Sequence, residues 1–206
     1  MKTKIILIGG FCEVIELCQE CGFDIVGVVD FCDAEAKKYG LPYLGDDNDF
    51  LSNAELYKAC KLVISPDSPA LREKIVLSYK SAGFSFAQVI SQEAKISQTA
   101  TLGEGAIIQS GVLISAQSVI GDFVRINCGA QVFHEAKIGD YTTIAPRATV
   151  LGRVTVAPQC YIGAGSIILP NKVIAEGVTV GAGAVVTKDV EAGTTVAGVP
   201  ARKMEK

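Results

Sequence analysis

The stretch Ile90–Val186 carries an aliphatic residue at every sixth position: Ile90, Ile96, Leu102, Ile108, Ile114, Ile120, Ile126, Val132, Ile138, Ile144, Val150, Val156, Ile162, Ile168, Ile174, Val180 and Val186. Neither a polar residue nor an insertion interrupts it. A period of six matches neither the 3.6-residue turn of a helix nor the alternation of a single strand, so it marks a repeat architecture. From Ile96 to Val150, the residue two positions before the aliphatic is small or β-branched, as in Ala94, Ala106, Val112, Ser118, Ala130, Thr142 and Ala148. The position after it is often glycine (Gly103, Gly121, Gly139, Gly163, Gly181), which suits a tight corner where a side chain would clash. This is the hexapeptide pattern of a parallel β-helix. Three six-residue sides close one triangular coil, so Ile108, Ile126, Ile144, Ile162 and Val180 are expected to stack in one inward column. Burial of each such side chain contributes roughly 1.5–3 kcal/mol before entropy is counted.

Upstream of the repeat the pattern changes. Residues 4–82 alternate strand and helix: strand Lys4–Ile8, a Gly9-Gly10 turn, helix Cys12–Cys21 and strand Asp24–Asp30. Helix Asn48–Ala59, strand Lys61–Ile64 and helix Pro69–Ala82 follow, with Pro69 suited to a first turn. The expectation is a small parallel α/β unit of the Rossmann type over residues 1–83, followed by an all-β coil with a C-terminal tail over residues 84–206. Phe84–Val89 is expected to be an extended bridge into the coil. The ligand edge of the first unit should be its strand C-termini: Gly9, Gly10 and Phe11; Asp30 and Phe31; Ser65. Glycines before a helix offer backbone N–H groups to a phosphate, and an acid closing the second strand can accept ribose hydroxyls. A tight turn with no ligand is the plainer alternative, since G-x-G-x-x-G is absent.

A net charge of −3 with no long run of one sign speaks against nucleic-acid or anionic-membrane binding. The apolar run Ile5–Ile8 is too short for a signal segment or a membrane span, so a cytoplasmic protein is expected. Seven cysteines, an odd number, are then most simply free thiols. Cys18 and Cys21 form a C-x-x-C near Cys12 and Cys32, but no second ligand pair is spaced for zinc, so no metal site is expected.

The single histidine, His134, falls two residues after Val132. The ladder already fills the inward positions, so His134 should point outward. Glu135 follows directly, and a carboxylate beside an imidazole fixes its tautomer and raises its basicity. An incidental surface histidine is the alternative on composition alone.

The run Ile126-Asn127, Val132-Phe133-His134-Glu135-Ala136-Lys137-Ile138-Gly139-Asp140 and Ile144-Ala145-Pro146 resembles the signature of the sialic-acid/bacillosamine-type sugar O-/N-acetyltransferases. So do Ile162-Gly163-Ala164-Gly165-Ser166-Ile167-Ile168 and Ala197-Gly198-Val199-Pro200-Ala201-Arg202. The resemblance covers the whole chain and implies a left-handed β-helix behind a Rossmann-like nucleotide-sugar domain. It also implies homotrimers with active sites at subunit interfaces, and acetyl-CoA as acyl donor.

By the same resemblance His134 is the base, Glu135 its partner, and Asn127 a polar residue near the reacting centre. Thr143, Ala164 and Ala182 fall where acetyl-CoA is contacted, and Arg202 and Lys203 where its phosphates would lie. The implied reaction is N-acetylation of the 4-amino group of a UDP-linked amino-dideoxy sugar for cell-surface glycan synthesis. O-acetylation of sialic acid and a non-catalytic trimeric sugar-nucleotide scaffold are the alternatives. Three departures stand out. Thr143 replaces a second family histidine, the Gly9-Gly10-Phe11 loop is shorter than the family's G-x-[GS]-G-H, and Ser65-Pro66 replaces a glycine. The zinc carbonic anhydrases on the same coil need three histidines and are excluded.

Overall fold

The structure, a computed structural model, describes residues 2–205. The chain forms two compact units that divide between Val89 and Ile90, with Ser68–Ala70 belonging to the second.

In the first unit, β1 (Lys4–Ile8), β2 (Asp24–Val29) and β3 (Lys61–Ile64) form a parallel sheet in the order β2-β1-β3. The continuous apolar run of β1 is what a central parallel strand requires, and Ile5, Ile6, Leu7 and Ile8 are all buried. Helices α1 (Cys12–Glu20), α2 (Ala34–Lys38), α3 (Asp47–Ser52) and α4 (Pro69–Ser81) complete the unit. The single helix expected over 48–59 is broken at Asn53, and a short 3-10 turn, Ala54–Tyr57, follows. The break has a local cause: Asn53 donates its side-chain amide to Asp49 O, 2.9 Å away, and takes a non-helical backbone. Residues 84–89, which sequence patterning groups with the coil, pair with the first unit. Leu62 N donates to Ser85 O and Ala87 N to Leu62 O, both at 2.9 Å. Phe84 is drawn in by the ring of Phe50, with centroids 5.5 Å apart.

The second unit is a three-sided coil of two-residue strands. The first face stacks Ile107–Ile108, Arg125–Ile126, Thr143–Ile144, Tyr161–Ile162 and Thr179–Val180, in parallel and in register. The second face stacks Leu113–Ile114, Gln131–Val132, Thr149–Val150, Ile167–Ile168 and Val185–Val186. The third stacks Val119–Ile120, Lys137–Ile138, Thr155–Val156 and Val173–Ile174. The inward column of Ile108, Ile126, Ile144, Ile162 and Val180 is present and dry, each side chain 0% exposed. The last coil is two residues shorter, because Ile174 pairs with Val190 and Val180 with Val196.

The corner glycines stand where a side chain would clash, as their spacing suggests. Gly121 and Gly139 do not have positive φ; a Cβ there would lie 2.3 Å from Asp140 Oδ1 and 2.5 Å from Pro158 N, in the next rung. Close stacking, not backbone freedom, selects them. The left-handed turn falls two residues later, on Gln117, Glu135 and Arg153 along one edge and Phe123, Tyr141 and Gln159 along another. Among the described residues no helix is long and apolar enough to cross a membrane.

Candidate active site

His134 and Glu135 sit on the edge between the second and third faces. The imidazole points outward, its side chain 51% exposed, as the filled inward column requires. Its Nδ1 lies 3.0 Å from Glu135 Oε2. Because an ionised carboxylate only accepts, this contact makes Nδ1 the protonated nitrogen and leaves Nε2 with its lone pair. The Glu135 carboxyl is held below the ordinary carboxylate range, first by the hydrogen bond from His134 and then by Arg153. Arg153 Nε is 3.0 Å from the same Oε2, and Arg153 N donates to His134 O at 3.0 Å. Beneath the ring lies Gly152, where a Cβ would stand 2.5 Å from His134 Nε2. The imidazole therefore rests on a seat that only glycine leaves open. From inside the coil, Ser118 Oγ donates to Phe133 O at 2.9 Å and fixes the backbone just before the histidine.

The other candidate residues fall elsewhere. Asn127 is nearly buried on the neighbouring edge, between the first and second faces, with its Oδ1 accepting from Arg125 Nε at 2.8 Å. Ala164 and Ala182 are exposed on that same edge, where Arg147 N donates to Cys128 O, Gly165 N to Pro146 O and Gly183 N to Ala164 O. Cβ atoms on Gly165 or Gly183 would meet nothing within 4 Å, so the edge presents an open, small-residue track. The tail packs on the end of the coil: Val185 N donates to Gly198 O and Ala201 N to Val185 O, and the exposed strand Arg202–Lys203 runs antiparallel to Thr195–Ala197. Lys203 Nζ pairs with Glu191 at 3.5 Å. Thr143 is fully buried in the outward row of the first face, between Arg125 and Tyr161. One chain thus places Arg202 and Lys203 against residues 186–191 at the end of the coil, brings His134 and Glu135 together, and separately aligns Ala164 and Ala182. It does not bring the last two pairs together, because they occupy different edges of the prism.

In the first unit, Gly9, Asp30 and Phe31 line a cavity of about 280 Å³ with Asp46, Asp47, Pro66, Leu71 and Ile75. Asp30 ties the sheet edge together, accepting from Gly10 N at 2.6 Å and Phe31 N at 2.8 Å. Gly9 N donates to Val29 O at 2.8 Å. Both glycine N–H groups are therefore engaged within the protein, which removes the phosphate cradle expected of that turn. Phe31 is 89% exposed, Phe11 is the half-exposed residue capping α1, and Ser65 is buried with its N–H on Ile8 O. Asp46 accepts from the N–H groups of Asn48 and Asp49, and Asp47 from Tyr79 OH at 2.5 Å.

No family model and no curated protein matches the chain. Solved structures do. PerB from Caulobacter crescentus, in complex with CoA and GDP-perosamine, is 32% identical over 98% of this chain and 97% of that one, with a TM-score of 0.91. The chain belongs to the hexapeptide-repeat, left-handed β-helix sugar N-acetyltransferases. WeeI from Acinetobacter baumannii AYE is 30% identical over 98% of this chain and 100% of that one, with a TM-score of 0.86. The acetyltransferase domain of PglB from Neisseria gonorrhoeae FA1090, in complex with acetyl coenzyme A, is 26% identical over 99% and 100%, at a TM-score of 0.89.

The protein is accordingly an acetyl-CoA-dependent sugar acetyltransferase, which sets aside the non-catalytic scaffold. Sequence reasoning missed Gly152 and Arg153 in this acetyltransferase, yet the signal was available: they lie eighteen residues, one full coil, after His134 and Glu135. Asp46 and Asp47 carried no comparable signal, because the fold of the first unit has no fixed period.

Proposed function

We propose that the enzyme transfers the acetyl group of acetyl-CoA to the amine of a nucleotide-linked amino sugar, with His134 as general base. The observation that carries this is the outward imidazole whose Nδ1 is held by Glu135 and whose Nε2 sits over Gly152. As the amine nitrogen bonds to the acyl carbon, His134 Nε2 takes its proton, and Glu135 stabilises the imidazolium. The imidazolium then returns that proton to the departing sulfur as the carbon–sulfur bond breaks. Asn127 is read as a polar residue near the reacting centre, and Thr143, Ala164, Ala182, Arg202 and Lys203 as the acetyl-CoA side of the site. Since His134 and the Ala164–Ala182 track occupy different edges, a complete site needs the edge of a second copy, in keeping with a homotrimer that has active sites between subunits.

The first unit is read as a Rossmann-like nucleotide-sugar domain. In support, its three strands are parallel with β1 central, and its cavity lies at their C-terminal ends. Gly9, Gly10, Phe11, Asp30, Phe31 and Ser65 shape that end, and Asp30 keeps acceptor capacity beyond its two internal hydrogen bonds. The acceptor inferred from the sequence is a UDP-linked 4-amino-dideoxy sugar of the bacillosamine type, acetylated in the cytoplasm for glycan synthesis. A GDP-linked acceptor is a second reading, favoured by the GDP-perosamine complex of the Caulobacter relative. The test is thiol release from acetyl-CoA with UDP-, GDP- and dTDP-linked amino sugars and with sialic acid. Release with a nucleotide-linked amino sugar is expected. Release with sialic acid alone would replace amine by hydroxyl transfer, and release with none would overturn the proposal.

A further inference from the structure

Arg153 touches both members of the His134–Glu135 pair. Its guanidinium Nε and the imidazole Nδ1 each lie 3.0 Å from one and the same oxygen, Glu135 Oε2. Its backbone N–H, in addition, donates to His134 O at 3.0 Å. The arrangement is set by the coil: Gln117, Glu135, Arg153 and Asn171 occupy equivalent left-handed corner positions on successive rungs, with φ of 60°, 60°, 59° and 59°. The charged groups acting on Glu135 are His134 on its own rung and Arg153 on the next. The column positions beyond them, Gln117 and Asn171, are uncharged. A carboxylate on an exposed corner has several rotamers; one gripped from the adjacent rung keeps the one that faces the ring.

We propose that Arg153 is a positioning residue for acetyl transfer, holding the Glu135 carboxylate on His134 Nδ1 and offsetting part of its charge. The proposal rests on His134 being the base. Arg153 acts through Glu135 and need not touch either substrate. An ion pair this exposed, with side chains 60% and 42% accessible, contributes little to stability, so its effect should be kinetic.

The test is a double-mutant cycle read as full pH–rate profiles. Arg153→Met should lower kcat about tenfold and leave the KM for acetyl-CoA unchanged. It should also move the acid limb of kcat/KM to higher pH, because an unopposed carboxylate favours the protonated ring. Arg153→Lys, which restores the cation, should recover most of both. In a Glu135→Gln background, Arg153→Met should add almost nothing, since the group it acts through is already neutral.

An unmoved acid limb with kcat within twofold of wild type would overturn the proposal. So would an undiminished Arg153→Met effect in the Glu135→Gln background, or a rise in the acetyl-CoA KM alone, which would make Arg153 a cofactor contact. Should Arg153→Met fail to fold, the Arg153→Lys profile decides: a kcat as low as that of Glu135→Gln, despite the retained cation, contradicts the proposal. His134→Ala separates the two ideas. If it remains active, the base assignment itself falls; if it is inactive while Arg153→Met is silent, only the role of Arg153 falls.

Discussion

The coil and the α/β unit before it meet the same requirement, a dry interior with satisfied backbone, in opposite ways. In the coil every rung before the last repeats one solution, so a residue's surroundings follow from its position modulo eighteen: Ile144 lies between Ile126 and Ile162, and His134 over Gly152. In the first unit each contact is particular. Asp30 ties Gly10 to Phe31, Asp47 meets Tyr79, and Arg72 donates to Pro66 O and Asp67 O, with no rule linking one to the next. The regular unit presents chemistry on rigid edges; the irregular one shapes a cavity from unrelated side chains. A repeat is thus sensitive to any change that violates its period, whereas the first unit should respond one contact at a time.

The largest expected effect lies in the inward column. Ile144→Asp would place an unpaired charge among residues with no exposure, costing about 3–5 kcal/mol. Urea unfolding followed by circular dichroism should show loss of cooperative folding, whereas Thr155→Asp, on the outward row, should stay within about 0.5 kcal/mol of wild type.

Next come two glycines, one from each region. Gly152→Ala would drive a methyl into the His134 ring, and a displacement on the order of 1 Å lowers kcat about a hundredfold with little change in melting temperature. Gly10→Ala would stand 3.0 Å from Asp30 Oδ2 and 3.1 Å from Glu35 Cβ. Its expected effect is a severalfold rise in the KM for the sugar nucleotide with kcat retained. Steady-state kinetics on both variants measures the contrast; equal losses of kcat would erase it.

Legibility of the sequence follows the same division. All three faces of the coil and the outward aim of His134 could be read from residue spacing, because one apolar residue in six is enough to specify a rung. The seat and brace of the histidine were readable by the same arithmetic, once the stacking interval is applied to polar residues as well as to the ladder. The break at Asn53, the extra helix α2 and the acidic lining of the cavity were not. They depend on individual side chains such as Asn53, which competes for a backbone carbonyl, and Asp46, which caps a helix. The glycine turn misled for a related reason: its N–H groups are engaged by Val29 and Asp30, partners that only the folded sheet brings within reach.

The smallest effect compares buried thiols. Burial pushes Cys18 in the first unit up to about 12 and Cys160 in the coil up to about 11. Both should remain protonated, and inert to iodoacetamide, from pH 7 to 9, while the exposed Cys32 and Cys128 alkylate first. Peptide mapping by mass spectrometry checks this; early labelling of Cys160 would show that the coil opens more readily than its packing implies.

The most direct measurement is acetyl transfer by His134→Asn alongside calorimetric titration of the same variant with acetyl-CoA. Removing the proposed base should lower kcat/KM about a thousandfold while acetyl-CoA still binds with wild-type affinity. Turnover within a few-fold of wild type would contradict the account.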